Sequence, residues 1–131
     1  MTKFEVKTTA RNQFVEVTDR VRDAIAQSGI KSGLCVVYCP HTTAAVTVNE
    51  NADPDVVHDM LLYLNNAIPQ HQGGFRHAEG NSDSHIKASL IGPCVTLLVD
   101  AGDVVLGRWQ GVYFCEFDGP RTRTVMVQVV G

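Results

Sequence analysis

Short runs of apolar and β-branched residues, separated by polar turns, dominate the hydrophobic pattern of this chain. Such runs are typical of strands. The predicted strands are 4–10, 13–17, 34–39, 45–48, 95–100, 104–106, 108–117 and 122–130. The run 34–39 is continuously apolar, so we expect a central strand that is buried on both faces. Because consecutive strands are joined by short turns, the pattern favours a mostly antiparallel α+β fold.

Three segments instead have the apolar spacing and the end signals of helices. They are 19–28, 54–68 and 84–91. Thr18 is the predicted N-cap of the first helix and Asp53 that of the second. The third helix is short, with Ser82 or Ser84 as its cap, and its free N–H groups would suit an anion. We expect the second helix to bury one apolar stripe. Its members are Val57, Met60, Leu61, Leu64 and Ile68.

Size and composition indicate one domain, 1–131, since the chain has 131 residues and 44% of them are hydrophobic. The formal net charge of −3 provides no general basic surface for nucleic acid. No apolar run is long enough to cross a bilayer, and no export signal is visible at the amino end. We therefore expect a cytoplasmic protein that has neither nucleic acid nor a membrane as a partner.

The four cysteines form no C-x-x-C pair, which disfavours a zinc knuckle or a thioredoxin-like motif. Each lies in or beside an apolar run, so we expect buried free thiols. Cys35 and Cys39 would share one strand face at about 13 Å, too far apart for a disulfide. Cys39 is also near His41, but Pro40 interrupts the strand between them and nothing visible would activate the thiol, so a thiol nucleophile is disfavoured.

Three histidines, His41, His77 and His85, lie in settings that resemble a site. Three imidazoles and an open position are the layout of a catalytic divalent-metal site. Their spacing is not that of the H-E-x-x-H helix motif, and solvated loop histidines are the alternative interpretation. The segment 70–84 has no clear periodicity and is either disordered or an ordered active-site loop; we favour the loop. Glu50 would serve as a general base if the fold brings it near the histidines.

Cations supply a second candidate site, for an anion. They are Arg76, Lys87, Arg121 and Arg123. Lys87 would contribute a mobile charge, and the two carboxy-terminal arginines would share a face at the start of a strand. A solvated surface is the alternative for each of them. A third candidate is Trp109 with Gln110, a flat apolar ring beside a hydrogen-bonding amide that would hold a heterocycle; core or interface packing is the alternative.

Spaced motifs along nearly the whole chain resemble the YjbQ family. They are PHTTAA at 40–45, NE at 49–50 before DP at 53–54, GN at 80–81 before HIKASL at 85–90, G at 107 before WQG at 109–111, and DGPR at 118–121 before Arg123. The resemblance implies an α+β domain with a β-sandwich-like sheet arrangement, assembled as a homotrimer. It also implies a site near subunit boundaries that contains His41, His77 and His85 and binds a divalent metal.

The YjbQ family is associated with a secondary thiamine-phosphate synthase activity, which joins a pyrimidine pyrophosphate to a thiazole phosphate and releases pyrophosphate. The resemblance therefore implies a metal-binding transferase, with zinc as the first candidate for the metal. The residues expected to bind the phosphorylated substrate are Asn81, Lys87, Trp109, Gln110, Arg121 and Arg123. His41, His85 and Glu50 are the expected catalytic residues. The alternatives are a metal-assisted hydrolase of a phosphorylated small molecule and a trimer that binds a metal or ligand without catalysis.

Overall fold

The computed structural model describes all 131 residues and contains three helices and eight strands. In chain order the elements are β1 (Thr2–Lys7), β2 (Gln13–Glu16), α1 (Thr18–Ser28), β3 (Gly33–Tyr38), β4 (Ala44–Glu50), α2 (Pro54–Ala67), α3 (Ser82–Ile91), β5 (Cys94–Asp100), β6 (Asp103–Val104), β7 (Gln110–Glu116) and β8 (Thr122–Val130). No helix has both the length and the apolar character needed to cross a membrane.

The strands form two sheets, and every pairing within them is antiparallel. The larger sheet has the order β1-β8-β3-β5-β6, and the smaller has the order β2-β7-β4. Together with the three helices, this confirms the predicted α+β class with mostly antiparallel sheets. β3 is the central strand of the larger sheet, as its apolar run indicates.

The central strand of the smaller sheet, β7, is buried on both faces. One face of β7 carries Val112 and Phe114, which join the main core together with α1 and the larger sheet. The other face carries Tyr113 and Cys115, which form a second core with Ala45 of β4. This second core is where α2 and α3 cover the sheet, so α3 is held directly against the strand that follows His41.

The expectation for β3 is wrong in one respect, because only one of its faces is buried. Cys35 and Val37 point into the core, whereas the side chains of Leu34 and Tyr38 are exposed. In one chain no further layer covers the outer face of the larger sheet. The same face exposes Cys94, so the expectation of four buried thiols is correct for the other three cysteines only.

The helix caps confirm the prediction at one of three helices. Asp53 caps α2, and its Oδ1 accepts the Asp55 N–H at 2.9 Å. Thr18 lies inside α1 and uses its hydroxyl to accept the Val112 N–H at 2.9 Å, which ties the helix to β7. Asn81 occupies the cap position of α3 in place of the predicted Ser82 or Ser84, and its side chain makes no cap hydrogen bond.

The predicted stripe of α2 is correct in position but not in depth, since no residue of this helix is fully buried. Val57 and Leu64 pack against the second core and are only partly covered, while Leu62 and Tyr63 are exposed. The helix therefore lies at the edge of the molecule with apolar side chains in contact with solvent.

Candidate active site

A cavity of about 470 Å³ lies where the start of β4, the loop before α3, the first turns of α3 and the turn before β8 meet. Its lining is almost wholly polar and includes all three predicted histidines. The lining residues are Pro40, His41, Thr42, Thr43, His77, Glu79, Asn81, His85, Asp118, Arg121 and Arg123. Three segments that are far apart in sequence, 40–43, 77–85 and 118–123, thus supply one site, which we call the histidine cavity.

His41 is held by the backbone of the neighbouring strand. Its Nε2 accepts the Thr124 N–H at 2.9 Å, and its ring makes an edge contact with Phe114. Partial burial, with a smaller contribution from Arg123, lowers the pKa of His41 below its ordinary value of 6.5. Because the ring is then neutral near pH 7 and Nε2 acts as the acceptor, the proton lies on Nδ1. His41 is therefore prepared to donate a hydrogen bond through Nδ1.

His77 and His85 are brought together from the loop and from α3. Their ring centroids are 5.6 Å apart in an edge-to-face arrangement. The Nε2 of His77 lies 3.8 Å from a carboxylate oxygen of Glu79, which is beyond hydrogen-bond distance. The segment that the sequence left without regular structure thus contributes a histidine to the cavity.

The predicted metal requires three histidine nitrogens with free lone pairs around one point. A histidine that binds a metal commonly donates its other ring N–H to an acceptor, whereas Nε2 of His41 here receives a proton donor and Nδ1 carries the proton. No group of three or more His, Cys, Asp or Glu side chains is arranged to hold a metal ion. In this arrangement His41, His77 and His85 do not fit a zinc ion as one ligand set. The zinc site stays a prediction.

Arg123 lines the histidine cavity, and a buried carboxylate holds its guanidinium in place. It is 5% exposed, and its partner Glu116 is fully buried. Its Nε donates to Oε1 of Glu116 at 2.8 Å, and its Nη2 donates to the other carboxylate oxygen and to Oγ1 of Thr43. Burial alone would raise the pKa of Glu116, but hydrogen bonds from Arg123, the Asp118 N–H and Thr8 outweigh it and hold that pKa below its usual value.

Asp118 organises the rest of the cavity wall. Its Oδ2 accepts from Nδ2 of Asn81 at 2.8 Å and from Nη2 of Arg121 at 3.0 Å. Oδ1 of Asn81 is buried and has no hydrogen-bond partner. Arg121 and Arg123 therefore both line the cavity with one side of the guanidinium fixed by a carboxylate. Neither Nη1 group has a hydrogen-bond acceptor within the chain.

Lys87 is not the mobile cation that the sequence suggests. Its side chain is 1% exposed and belongs to the face of α3 that points away from the histidines. Its Nζ donates to Oδ1 of Asn65 at 2.8 Å, and to Oδ1 of Asn12 and Oδ2 of Asp83 at 3.2 Å each. With three acceptors around the ammonium group, Lys87 does not reach a phosphate in the histidine cavity.

Glu50, Trp109 and Gln110 lie together at the opposite end of the smaller sheet. Glu50 is the last residue of β4 and pairs with Gln110. β4 has seven residues, so this end is about 20 Å from the histidine end of the strand. Trp109 is 54% exposed, and the guanidinium of Arg108 lies over its ring. Within one chain the fold does not bring these three residues to the histidine cavity.

Two carboxylates that position the arginines, Glu116 and Asp118, were not predicted from the sequence. Glu116 interrupts the apolar run YFCEF, and a charge inside such a run signals a buried pair. Its partner Arg123 could not be identified from the sequence, because β7 and β8 belong to different sheets and the packing of those sheets brings the two side chains together.

Comparison with known proteins identifies the family of this chain. The family model described as "UPF0047 protein YjbQ-like" matches residues 2–131. The chain belongs to the YjbQ family. This YjbQ-like chain is 47% identical to UPF0047 protein MJ1081 of Methanocaldococcus jannaschii, over 98% of the chain and 93% of the relative. It is 46% identical to UPF0047 protein YugU of Bacillus subtilis, over 97% of the chain and 96% of the relative.

Solved structures of the YjbQ family have the same fold. An uncharacterized conserved protein of the YjbQ/UPF0047 family from Clostridium acetobutylicum superimposes with a TM-score of 0.97 at 47% identity, covering 99% of this chain and 100% of its own. The conserved hypothetical protein TT1486 from Thermus thermophilus gives a TM-score of 0.92 at 42% identity, with the same coverage. Membership in the YjbQ family thus accounts for the fold and for nearly the full length of the chain.

Proposed function

We propose that this YjbQ-like protein is an enzyme that acts on a phosphorylated small molecule in the histidine cavity. The observation that supports it is the composition of that cavity: His41 and His85 face a space that Arg121 and Arg123 also line. Imidazoles transfer or donate protons, and guanidinium groups bind phosphoryl oxygens. The thiamine-phosphate synthase reaction implied by the family resemblance is the first reaction to test.

Each side chain has a role that follows from its contacts. The free Nη1 groups of Arg121 and Arg123 would bind phosphoryl oxygens, because Asp118 and Glu116 already fix the other side of each guanidinium. His41 would donate from Nδ1 to an oxygen that gains negative charge. His85, which has no hydrogen-bond partner on its ring, would act as the acid or base. These roles suit the departure of pyrophosphate, and equally the hydrolysis of a phosphate ester.

The test is formation of thiamine phosphate from the pyrimidine pyrophosphate and the thiazole phosphate by the purified protein and by the His85→Gln variant. We expect His85→Gln to lower kcat by about a hundredfold, the usual contribution of a positioned acid or base. His58→Gln is the matched control, since His58 is 70% exposed on α2 and bonds only to its neighbour Asp59. Its rate should equal that of the parent protein.

Equal rates for the His85 and His58 variants would contradict the role of the histidine cavity. No turnover by the parent with these substrates, combined with hydrolysis of a simple phosphate ester that His85→Gln abolishes, would favour the hydrolase. No turnover of any phosphorylated substrate would favour a binding module.

The predicted zinc is tested separately from turnover. Elemental analysis of the purified protein, beside His41→Ala and His85→Ala, decides it: a near-stoichiometric divalent metal that both variants lose would assign the histidines as its ligands and would require His41 to rearrange from the arrangement described above. An equal metal content in all three proteins would exclude the histidines as its ligands.

We also propose that copies of this chain associate, as a homotrimer. Exposed apolar surface supports association: Leu34 lies opposite Leu98 and Val130 in the larger sheet, and all three side chains are at least 45% exposed. Light scattering should give three times the mass of the chain, and Leu98→Lys should lower it. A monomer in the parent protein would contradict the proposal.

A further inference from the structure

A second cavity, of about 380 Å³, lies on the other side of α3 and has no role in the proposed reaction. The β1–β2 loop, α2, the segment after α2 and α3 enclose it. Its lining residues are Arg11, Asn12, Asn65, Pro69, Gln70, His71, Asp83 and Lys87. We call it the lysine cavity, after the buried ammonium group of Lys87 at its base.

The lysine cavity holds more positive than negative charge. Arg11 forms a two-pronged ion pair with Asp83, at 2.9 Å and 3.0 Å, and Lys87 bonds to the same carboxylate at 3.2 Å. Two cations thus share one carboxylate whose side chain is fully buried. Burial lowers the pKa of Lys87 below its ordinary value, and the bond to Asp83 only partly opposes this. An anion in the cavity would balance the remaining positive charge.

Two amides of the cavity, those of Asn12 and Asn65, are oriented as donors. Asn12 and Asn65 each give their side-chain oxygen to Lys87. Their Nδ2 groups therefore face away from the ammonium group, and neither has an acceptor in the chain. Arg11 uses Nη1 and Nη2 on Asp83 and Ser84, while its Nε–H has no acceptor. The unused hydrogen-bonding groups of these three residues are therefore donors.

We propose that the lysine cavity binds a small oxyanion, a phosphate or carboxylate group, between Arg11, Asn12 and Asn65. An oxyanion offers several acceptor oxygens to these donors and supplies the missing negative charge. Lys87 acts indirectly, by orienting the two amides. The site is separate from the histidine cavity, because Asn81 and His85 lie on one face of α3 and Asp83 and Lys87 on the other.

The experiment is a titration of the full-length, ¹⁵N-labelled protein with inorganic phosphate, at constant ionic strength against chloride. NMR resonances of the Asn12 and Asn65 side-chain amides and of the Arg11 Nε–H should shift and saturate. A parallel titration with acetate distinguishes the two kinds of oxyanion. Saturation by phosphate alone assigns a phosphoryl group, and saturation by both assigns any small oxyanion.

Asn65→Asp is the test variant. It keeps an oxygen for Lys87, removes the Nδ2 donor and adds a negative charge that cancels the excess positive charge. We expect phosphate to bind about tenfold more weakly or worse, as for a lost hydrogen bond to a charged group. Asn66→Asp is the matched control, because the neighbouring Asn66 is exposed, receives the same charge and does not line the cavity.

Equal weakening by Asn65→Asp and Asn66→Asp would overturn the proposal, since only general electrostatics would then act. So would unmoved Asn12, Asn65 and Arg11 resonances in the parent protein at saturating phosphate. A shift confined to the side-chain amide of Asn81 would place phosphate in the histidine cavity, which refutes this site and leaves the proposed function intact.

Discussion

Removing the guanidinium of Arg123 should destabilise the fold far more than the loss of a surface ion pair. In Arg123→Met the fully buried carboxylate of Glu116 keeps only two of its hydrogen bonds, from Oγ1 of Thr8 at 2.8 Å and from the Asp118 N–H at 3.0 Å. Removing one partner of a buried pair costs about 3–5 kcal/mol. That is a large part of the roughly 5–15 kcal/mol that stabilises a typical domain.

The stability difference between the parent protein and Arg123→Met should depend on pH. In the parent protein the folded-state pKa of Glu116 lies below its ordinary value of 4.5, so its contribution is present above that pH and is lost as the pH falls through the folded-state pKa. Without Arg123, burial dominates and raises the pKa of Glu116. The folded variant then binds more protons than the unfolded chain, so its stability falls as the pH rises. The difference between the two proteins should therefore grow from acidic to neutral pH.

The assay is urea unfolding followed by circular dichroism, at one protein concentration so that any association is constant, and at about pH 5 and about pH 8. Arg123→Met/Glu116→Leu is the companion variant: with no buried carboxylate left, it should recover part of the loss and show no such pH dependence. A loss below about 1 kcal/mol, the range of exposed pairs, would refute the reasoning. A deficit that does not change with pH would refute it as well.

Three further predictions rest on burial and contact. Lys87→Met should lower the free energy of unfolding by about 3 kcal/mol, because it removes three hydrogen bonds of a 1% exposed ammonium group. Urea unfolding measures this change, and a loss below about 0.5 kcal/mol would contradict the buried position of Lys87. Gly33→Ala should lower the melting temperature by several degrees, since an added Cβ would collide with the Val130 carbonyl; an unchanged melting temperature would contradict this packing. In the native protein at about pH 8 a thiol reagent should modify no cysteine other than Cys94, and rapid modification of Cys35, Cys39 or Cys115 would contradict their burial.

The cysteine prediction follows from the surroundings of each thiol. Burial raises the pKa of Cys35 to about 11, and that of Cys39 to about 11 despite the opposing contact with His41. Burial also raises the pKa of Cys115. At neutral pH these three groups are thiols rather than thiolates, so they are poor nucleophiles. This agrees with the low rank that the sequence gives to Cys39 as a catalytic residue.

Local rules predicted most of the elements because their causes lie within a few residues. Asp53 followed by Pro54 is a helix start wherever it occurs, and the prediction of α2 was correct to within a residue at both ends. Gly29 ends α1 with a positive φ of 71°, which glycine adopts readily. The antiparallel pairing is as predicted, but short connections do not explain it, because β5 and β6 are the only strands that are both consecutive and paired. The depth of burial does not follow from local rules either, which is why β3 and α2 were both predicted to be more enclosed than they are.

For the candidate site too, the sequence identified the residues, and the structure decided which of them lie together. The sequence alone identified the three histidines, Asn81 and the two arginines as polar residues in suggestive settings, and the structure brings all of them to one cavity. It also predicted Lys87 and Glu50 for that cavity, and the structure places neither there. Lys87 lies on the face of α3 that points away from the histidines, and Glu50 lies at the far end of the seven-residue strand β4.

What the sequence by itself determined about this protein is its local structure and its family, since both depend on residues read in order. What only the tertiary structure decided is which charges meet. Arg11 pairs with Asp83 across 72 positions, and Arg123 bonds to Thr43 across 80. Such pairs form because strand register and helix packing bring distant segments within about 3 Å, and because a charge leaves water only where a partner is already held in place.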